Sequence, residues 1–339
     1  MTRLLFATVA LFASLLPAYA GPCPAAPPPV HDLNLVRFYA DQTGSIIEPA
    51  RLEQHKAQIA PLVAFVGFVA KQADQAVQKS KGGDGAARCG LSWIKAWADG
   101  NAYLGTMATK QAESQRKWDL AGIALAYLKL SPWATADDKA AIDPWLIKIA
   151  DASRAVFDDT TVKRNNHWYW LGLGLGAVGL ATNSETHWQM AKGIMQDAAN
   201  DIQSNGTLPY EMGRESRALH YHAFALGPLV VMAELAKAQG EDWYAINTGA
   251  LHRLVAKTID GLNDPAVFDK LAHIVQERPV KPGAGWLSLY RARFPGKIKT
   301  TVLQPDTHRW LGGDVLVLKA ALGAKPASRL RTADAPPRL

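Results

Sequence analysis

The sequence predicts an all-α protein built from antiparallel helix pairs, and three observations predict it. From Glu48 onward, runs rich in Ala and Leu (residues 93–97, 118–128 and 229–238) repeat their apolar positions at intervals of three and four. No stretch rich in Val, Ile and Thr alternates with period two between hairpin turns. Gly, Pro and Asn punctuation cuts the periodic region into segments of roughly 10–25 residues, which fold back on one another most simply in pairs.

Along the chain, Arg3, an apolar run over residues 4–16 and Ala18-Tyr19-Ala20 make up a secretory signal peptide over residues 1–20, too short to span a membrane. No later apolar run reads as spanning length. A Pro-rich leader, residues 22–29, follows. Breaks are expected at Gly82–Gly85, Ser131-Pro132, Asp143-Pro144, Asn183-Ser184, Asn205-Gly206, Gly227-Pro228, Gly240 and Asp264-Pro265. Residues 22–44 and 281–306 read as extended and loop-rich, the kind of segment that lines or covers a site. The domain is expected over residues 21–325, and the polar tail, residues 326–339, is expected to be disordered.

The chain carries 37 Lys and Arg against 30 Asp and Glu, a net charge of +7 that becomes +6 when the leader takes Arg3 with it. That excess favours an anionic partner. A secreted chain without a dense basic run interleaved with aromatics is a poor candidate for nucleic acid, which leaves acidic polysaccharide or a membrane surface open on charge; acidic polysaccharide is the partner expected, and a monomer the form expected. Cys23 and Cys89 are the two cysteines. In an oxidising compartment they read as one disulfide or as two buried thiols, and neither belongs to a CxxC pair that would suggest a metal or redox site.

Two clusters carry the chemistry. In Asn165-Asn166-His167-Trp168-Tyr169-Trp170, asparagines ahead of an apolar run are N-cap candidates, which places His167 in a first helical turn where the dipole disfavours an imidazolium. In the segment 211–222, read as part of one helix running from Glu211 to Leu226, Arg214, Arg217 and Tyr221 lie at i, i+3 and i+7 and share a face. The structural alternative makes His220 and Tyr221 core residues and pairs the arginines with Glu211 and Glu215. An amide, an imidazole, a guanidinium and a phenol are the set needed to take a proton from carbon beside a carboxylate and expel the neighbouring oxygen. Trp168 and Trp170 are candidate stacking platforms for sugar rings by their proximity to His167, although most of the eleven tryptophans are expected to be core. No HExxH or Asp-rich calcium loop is present, so neither metal nor cofactor is expected.

These blocks resemble the alginate lyases of polysaccharide lyase family five. The Asn-Asn-His-x-Tyr-Trp pattern is met by residues 165–170. The pattern Leu-Pro-x-Glu-Met-x-Arg followed by Arg-Ala-Leu-His-Tyr-His is met by residues 208–214 and 217–222. Residues 23–29, 89–98, 116–118 and 312–314 add to the likeness, which spans about residues 23–318. The resemblance implies an incomplete (α/α) toroid around a deep groove, a periplasmic lyase acting on polyuronates by β-elimination, and roles for four residues. Asn166 and Arg214 would face the substrate carboxylate, His167 would act beside them as neutraliser or base, and Tyr221 would be the acid and the expected base, its phenol pKa lowered by the nearby arginines. Tyr39, Arg217, His220 and Arg309 are further candidates for lining subsites, and residues 33–44 for a lid hinged at Gly44. Several relatives carry a small residue in place of Trp168. The mannuronate-specific members place a lysine in the leader loop where this chain has Phe38, between Arg37 and Tyr39, which opens the range to polyglucuronate. Two other classes compete: a helical-toroid glycoside hydrolase, for which Asp41, Glu211 and Glu215 are available carboxylates, and a noncatalytic polysaccharide binder.

Overall fold

Helix starts are set by short polar side chains. Thr109 accepts from the Ala112 N–H to begin α3 (Lys110–Leu130), and Thr135 forms a reciprocal box with Asp138 to begin α4 (Ala136–Ala155). Asn165 accepts from the His167 N–H to begin α5 (Asn166–Thr182), as its place in the sequence predicts. The computed structural model describes residues 23–78, 83–278 and 280–324; the expected signal peptide and tail lie outside them. Among the described residues there are twelve α-helices, completed by α1 (Pro49–Gln78), α2 (Gly83–Asp99), α6 (Glu185–Asp201), α7 (Pro209–Met212), α8 (Ala218–Ala238), α9 (Ile246–Asn263), α10 (Ala266–Ala272), α11 (Trp286–Arg293) and α12 (Val315–Gly323). They form an all-α, incomplete toroid of paired helices. α1 packs on α2 and α3, α5 on α3, α6 and α8, and α8 on α9 and α11. Strand is confined to an antiparallel pair, β1 (Thr307–His308) with β2 (Gly313–Asp314).

Two expected breaks are absent, and packing explains why. Pro144 lies inside α4 and Pro228 inside α8. A proline within a helix costs about 3 kcal/mol. Around Pro228, however, Leu226, Leu229, Val230 and Val231 are fully buried, each returning about 1.5–3 kcal/mol, so the helix continues. α8 with the turn before it is also long and apolar enough to cross a membrane by composition, contrary to expectation, but it lies 89% buried as the central core helix. The expected continuous helix from Glu211 to Leu226 is instead α7, a tight turn at Glu215–Arg217 and then α8. Glu215 takes a left-handed conformation, and the broken turn is satisfied from elsewhere: the Gln276 amide donates to the Glu215 carbonyl, and the Glu277 N–H to the Ser216 carbonyl. The segment 281–306, expected to be extended and loop-rich, also contains α11.

The two chain ends clamp this ring. Cys23 and Cys89 form the disulfide, with Cα atoms 5.4 Å apart. The Trp93 and Trp97 indoles donate to the Pro24 and Pro27 carbonyls, fastening the leader along α2. At the other end, buried Lys129 on α3 donates to Asp74 on α1 and to the Gly312 carbonyl, while Asp314 N donates to Asp74 at 2.9 Å. A Cβ at Gly122 would lie 2.3 Å from the Arg309 carbonyl oxygen, so glycine there lets the C-terminal ribbon rest directly on α3.

Candidate active site

The start of α5 is locked by a carboxylate from α7. Glu211 is fully buried and accepts from the Asn166 backbone N–H at 2.7 Å; the Asn166 amide nitrogen sits 3.0 Å from both of its oxygens. Arg214 Nε lies 3.5 Å from the same group. Burial pushes the Glu211 carboxyl up, and Arg214 and Asn166 pull it back only in part. An amide nitrogen equidistant from two oxygens shares one hydrogen between them and keeps the second for the cleft. Oδ1 of Asn166 is buried without a protein partner.

His167 follows one residue later. Its Nδ1 lies 3.0 Å from Lys117 Nζ and 3.4 Å from Ser114 Oγ, and its ring stacks on Trp118 at 5.4 Å. Burial, then the charges of Lys117 and Arg214, hold its pKa well below the ordinary value, so the ring is neutral. Positive charge at the site therefore resides on Arg214 and, below about pH 7, on Lys117.

Arg214 stands in the turn after α7 rather than on α8, yet it reaches the same place. Its Nη1 donates to the Thr43 carbonyl at 2.7 Å, and its guanidinium lies 4.4 Å over the Tyr221 ring. Arg217 lies 5.3 Å from that ring, donates to the Tyr39 hydroxyl at 2.8 Å and pairs with Glu277 at 2.9 Å. The shared face expected from an i, i+3, i+7 spacing is thus produced by a broken turn. Burial first, then the adjoining Tyr39 hydroxyl, raise the Tyr221 phenol well above its usual value; Arg214 and Arg217 lower it without offsetting them. The expected depressed phenol pKa is not what the site shows: Tyr221 holds its proton.

Residues 38–48 form a flap over these groups. Ala40 and Glu48 pair through backbone bonds to Ile46 and Phe38, and Asp41 folds back to accept from Thr43, Ser45 and Ile46. Partial burial raises the Asp41 carboxyl, but those hydrogen bonds outweigh it and hold the group well below the usual carboxylate range.

Asn166, His167, Arg214 and Tyr221 line one cavity of about 790 Å³, together with Tyr39, His220 and Arg309. A second cavity, about 540 Å³, shares His167 and Arg214 and runs on past Lys117, Lys163 and Tyr210. His167 and Arg214 stand where the two meet, with Asn166 and Tyr221 on the side of the first. Trp168 and Trp170 line neither: Trp168 donates to Asp197 and packs on Phe157, while Trp170 packs on Phe224 and Trp310. Trp168, the next residue, is turned about 100° from His167; Trp170, at i+3, shares the helix face but is covered by Phe224 and Trp310. Trp118 and Trp310, stacked at 4.6 Å, supply the aromatic wall instead. Glu211 and Lys117 were missed as site residues. The available signal was a charged residue on the core-facing arc of an apolar helix.

Comparison with known proteins shows what the chain resembles. The family model described as alginate lyase matches residues 37–268. A polysaccharide lyase from Stenotrophomonas maltophilia (strain K279a) is 44% identical over 276 residues, covering 80% of this chain and 82% of its own. An alginate lyase from Azotobacter vinelandii is 31% identical over 314 residues, covering 87% and 83%. Among solved structures, alginate lyase A1-III complexed with a tetrasaccharide superposes with a TM-score of 0.77 at 23% identity, over 89% of this chain and 86% of that one, a likeness of fold.

Proposed function

The chain belongs to the alginate lyase family, and from that premise we propose that this polysaccharide lyase cleaves polyuronates, polymannuronate in alginate and also polyglucuronate, by β-elimination. The observation that carries the reading is one cavity lined by Asn166, His167, Arg214 and Tyr221. The uronate carboxylate docks on the Arg214 guanidinium, the second amide hydrogen of Asn166 and the His167 ring. Breaking the C5–H bond moves charge into that carboxylate, where fixed donors stabilise the dianion as it forms; losing one such donor costs roughly 100-fold or more in rate. The electron pair then forms the C4–C5 double bond, the C4–O bond breaks, and Tyr221 gives its proton to the leaving oxygen.

In mannuronate and glucuronate the C5 hydrogen and O4 lie on the same side, so one phenol can serve both steps once ionised, with Arg214 and Arg217 against its ring to stabilise the phenolate. Phe38 lines the cavity and packs on Tyr39 and His55, putting an apolar surface where mannuronate-specific relatives carry a lysine, which supports the broader range. Lys110, Lys163 and Arg309 around the two cavities suit a polyanion. A hydrolase reading lacks its pair: Glu211 is enclosed by Asn166 and Arg214, and Asp41 is spent on its own loop. The disulfide supports export to the periplasm, and one chain supplies every group of the site, so a monomer suffices.

Incubation with polymannuronate and polyglucuronate tests this. Both should yield unsaturated ends that absorb in the ultraviolet. Tyr221→Phe should abolish turnover while oligosaccharide still binds, and retention of most activity in that variant would end the assignment.

A further inference from the structure

Lys117 is 4% exposed, and among the described residues it forms no ion pair with a carboxylate. A buried ammonium without a counter-ion is costly, by several kcal/mol before compensation. Its hydrogen bond goes to His167 Nδ1, 3.0 Å away, with the rings of Phe157 and Trp118 at 5.5 and 5.6 Å. Filling a hole in the core does not require an amine, whereas giving a ring nitrogen of the site a donor that cannot accept does call for an ammonium.

We propose that Lys117 is a positioning residue that sets which nitrogen of His167 carries the proton: its ammonium donates to Nδ1, so Nε2–H is presented to the cleft and meets the uronate carboxylate as a hydrogen-bond donor. The inference rests on the reading that this cavity holds that carboxylate. An ammonium has three donors and no acceptor, so Nδ1 beside it must be the unprotonated nitrogen. In a neutral imidazole the proton is then on Nε2, which makes no hydrogen bond to the described residues, while the ring lines both cavities. Ser114 Oγ, 3.4 Å from Nδ1, is also able to donate there.

The consequence is a division of labour. A ring bearing Nε2–H has no lone pair facing substrate, so His167 neutralises the carboxylate, and removal of the C5 proton falls to the ionised Tyr221. An anti-configured uronate, which needs a base on the opposite face, is then served poorly. The charged groups around Lys117 act on this balance. On α3, Glu113 favours the ammonium and Arg116 opposes it, with Lys110 on the same cavity wall; from the other elements come His167 on α5, Lys163 before it and Arg214 after α7. Burial dominates and holds the Lys117 pKa down to about 7. Because that value is lowered, the ammonium is present below about pH 7 and is lost as pH rises through it.

Long-range proton–nitrogen spectra of protein labelled with 15N-histidine report the protonated ring nitrogen directly, His167 being assigned by its loss in His167→Ala. Wild-type protein at pH 6 should show Nδ1 bare and Nε2 protonated, with that tautomer giving way to a mixture above pH 7. Lys117→Met should lose the preference at every pH and lower kcat on polymannuronate roughly 10- to 100-fold with little change in KM, less than the loss of a direct donor. Lys117→Arg should restore the tautomer and part of kcat. A wild-type ring protonated on Nδ1 at pH 6, or a Lys117→Met protein with unchanged tautomer and kcat, would overturn the proposal. The wild-type spectrum needs no variant to fold. Full activity in His167→Ala would instead sink the carboxylate-site reading, whatever the tautomer.

Discussion

The hydroxyls of Tyr39 and Tyr221, 182 residues apart in the chain, lie 2.8 Å from each other. Arg217 donates to the first and sits against the ring of the second, so the flap and α8 meet at a pair of phenols flanked by cations. The contact raises the Tyr221 pKa because the two touching phenols oppose each other's ionisation: negative charge on one disfavours it on the other.

Tyr39→Phe should therefore move the ionisation of Tyr221 to lower pH. The loss of the Lys117 ammonium near pH 7 lowers the rate once, whereas with a raised phenol pKa the phenolate fraction goes on growing about tenfold per pH unit, so kcat/KM in the wild type should dip near pH 7 and then climb through the alkaline range. In the variant that rise should begin earlier, while KM increases through loss of the flap contact. A pH profile on polymannuronate checks both, and a flat alkaline profile in the wild type would remove Tyr221 as the base.

Gly44 holds a φ of +73°, and a Cβ there would fall 2.9 Å from Arg214 Nη1 and 3.5 Å from the Tyr221 hydroxyl. Gly44→Ala should push the guanidinium aside. Misplacing a catalytic group by about 1 Å costs on the order of 100-fold, so kcat should fall by that order while the melting temperature shifts little. Kinetics beside a thermal scan separate the two.

Glu211→Ala leaves the Asn166 N–H, its amide and Arg214 without their shared acceptor. Breaking a buried charged network in this way costs about 3–5 kcal/mol, which denaturant titration should register together with near-complete loss of turnover. Glu211→Gln keeps one acceptor and should retain more of both. Equal stability of Glu211→Ala and the wild type would show that Glu211 does not hold the start of α5.

Reducing the Cys23–Cys89 bond, or replacing both cysteines with alanine, releases a separation of 66 residues. Loop-closure entropy puts the loss at about 4 kcal/mol. Urea midpoints with and without reductant measure it, and no shift would mean that the Trp93 and Trp97 bonds hold the leader by themselves.

Local signals in the chain were legible where one side chain decides the outcome. Asn165 caps α5 because a short amide ahead of an apolar run has little else to do, and α3 and α8 were legible as helices from long Ala- and Leu-rich runs that the fold buries on nearly every side. The partners of site residues were not legible. Lys117 reaches His167 only because α3 packs on α5, and Arg214 reaches Tyr221 through a turn that segment 276–277 stabilises from about sixty residues away. Trp168 misled because adjacency in sequence was read as adjacency on a helix face. Pro228 misled because its local cost was weighed without the burial on either side.

The Asp314–Asp74 bond joins positions 240 residues apart, and the segment it anchors carries Arg309 and Trp310 into the cleft. A nascent polypeptide that has already made all four reacting side chains still has a gap in its groove until residues 309–314 arrive. Competence to bind polymer thus waits on a segment made well after the reacting groups, and truncations that spare every reacting group but stop short of β2 should be inert.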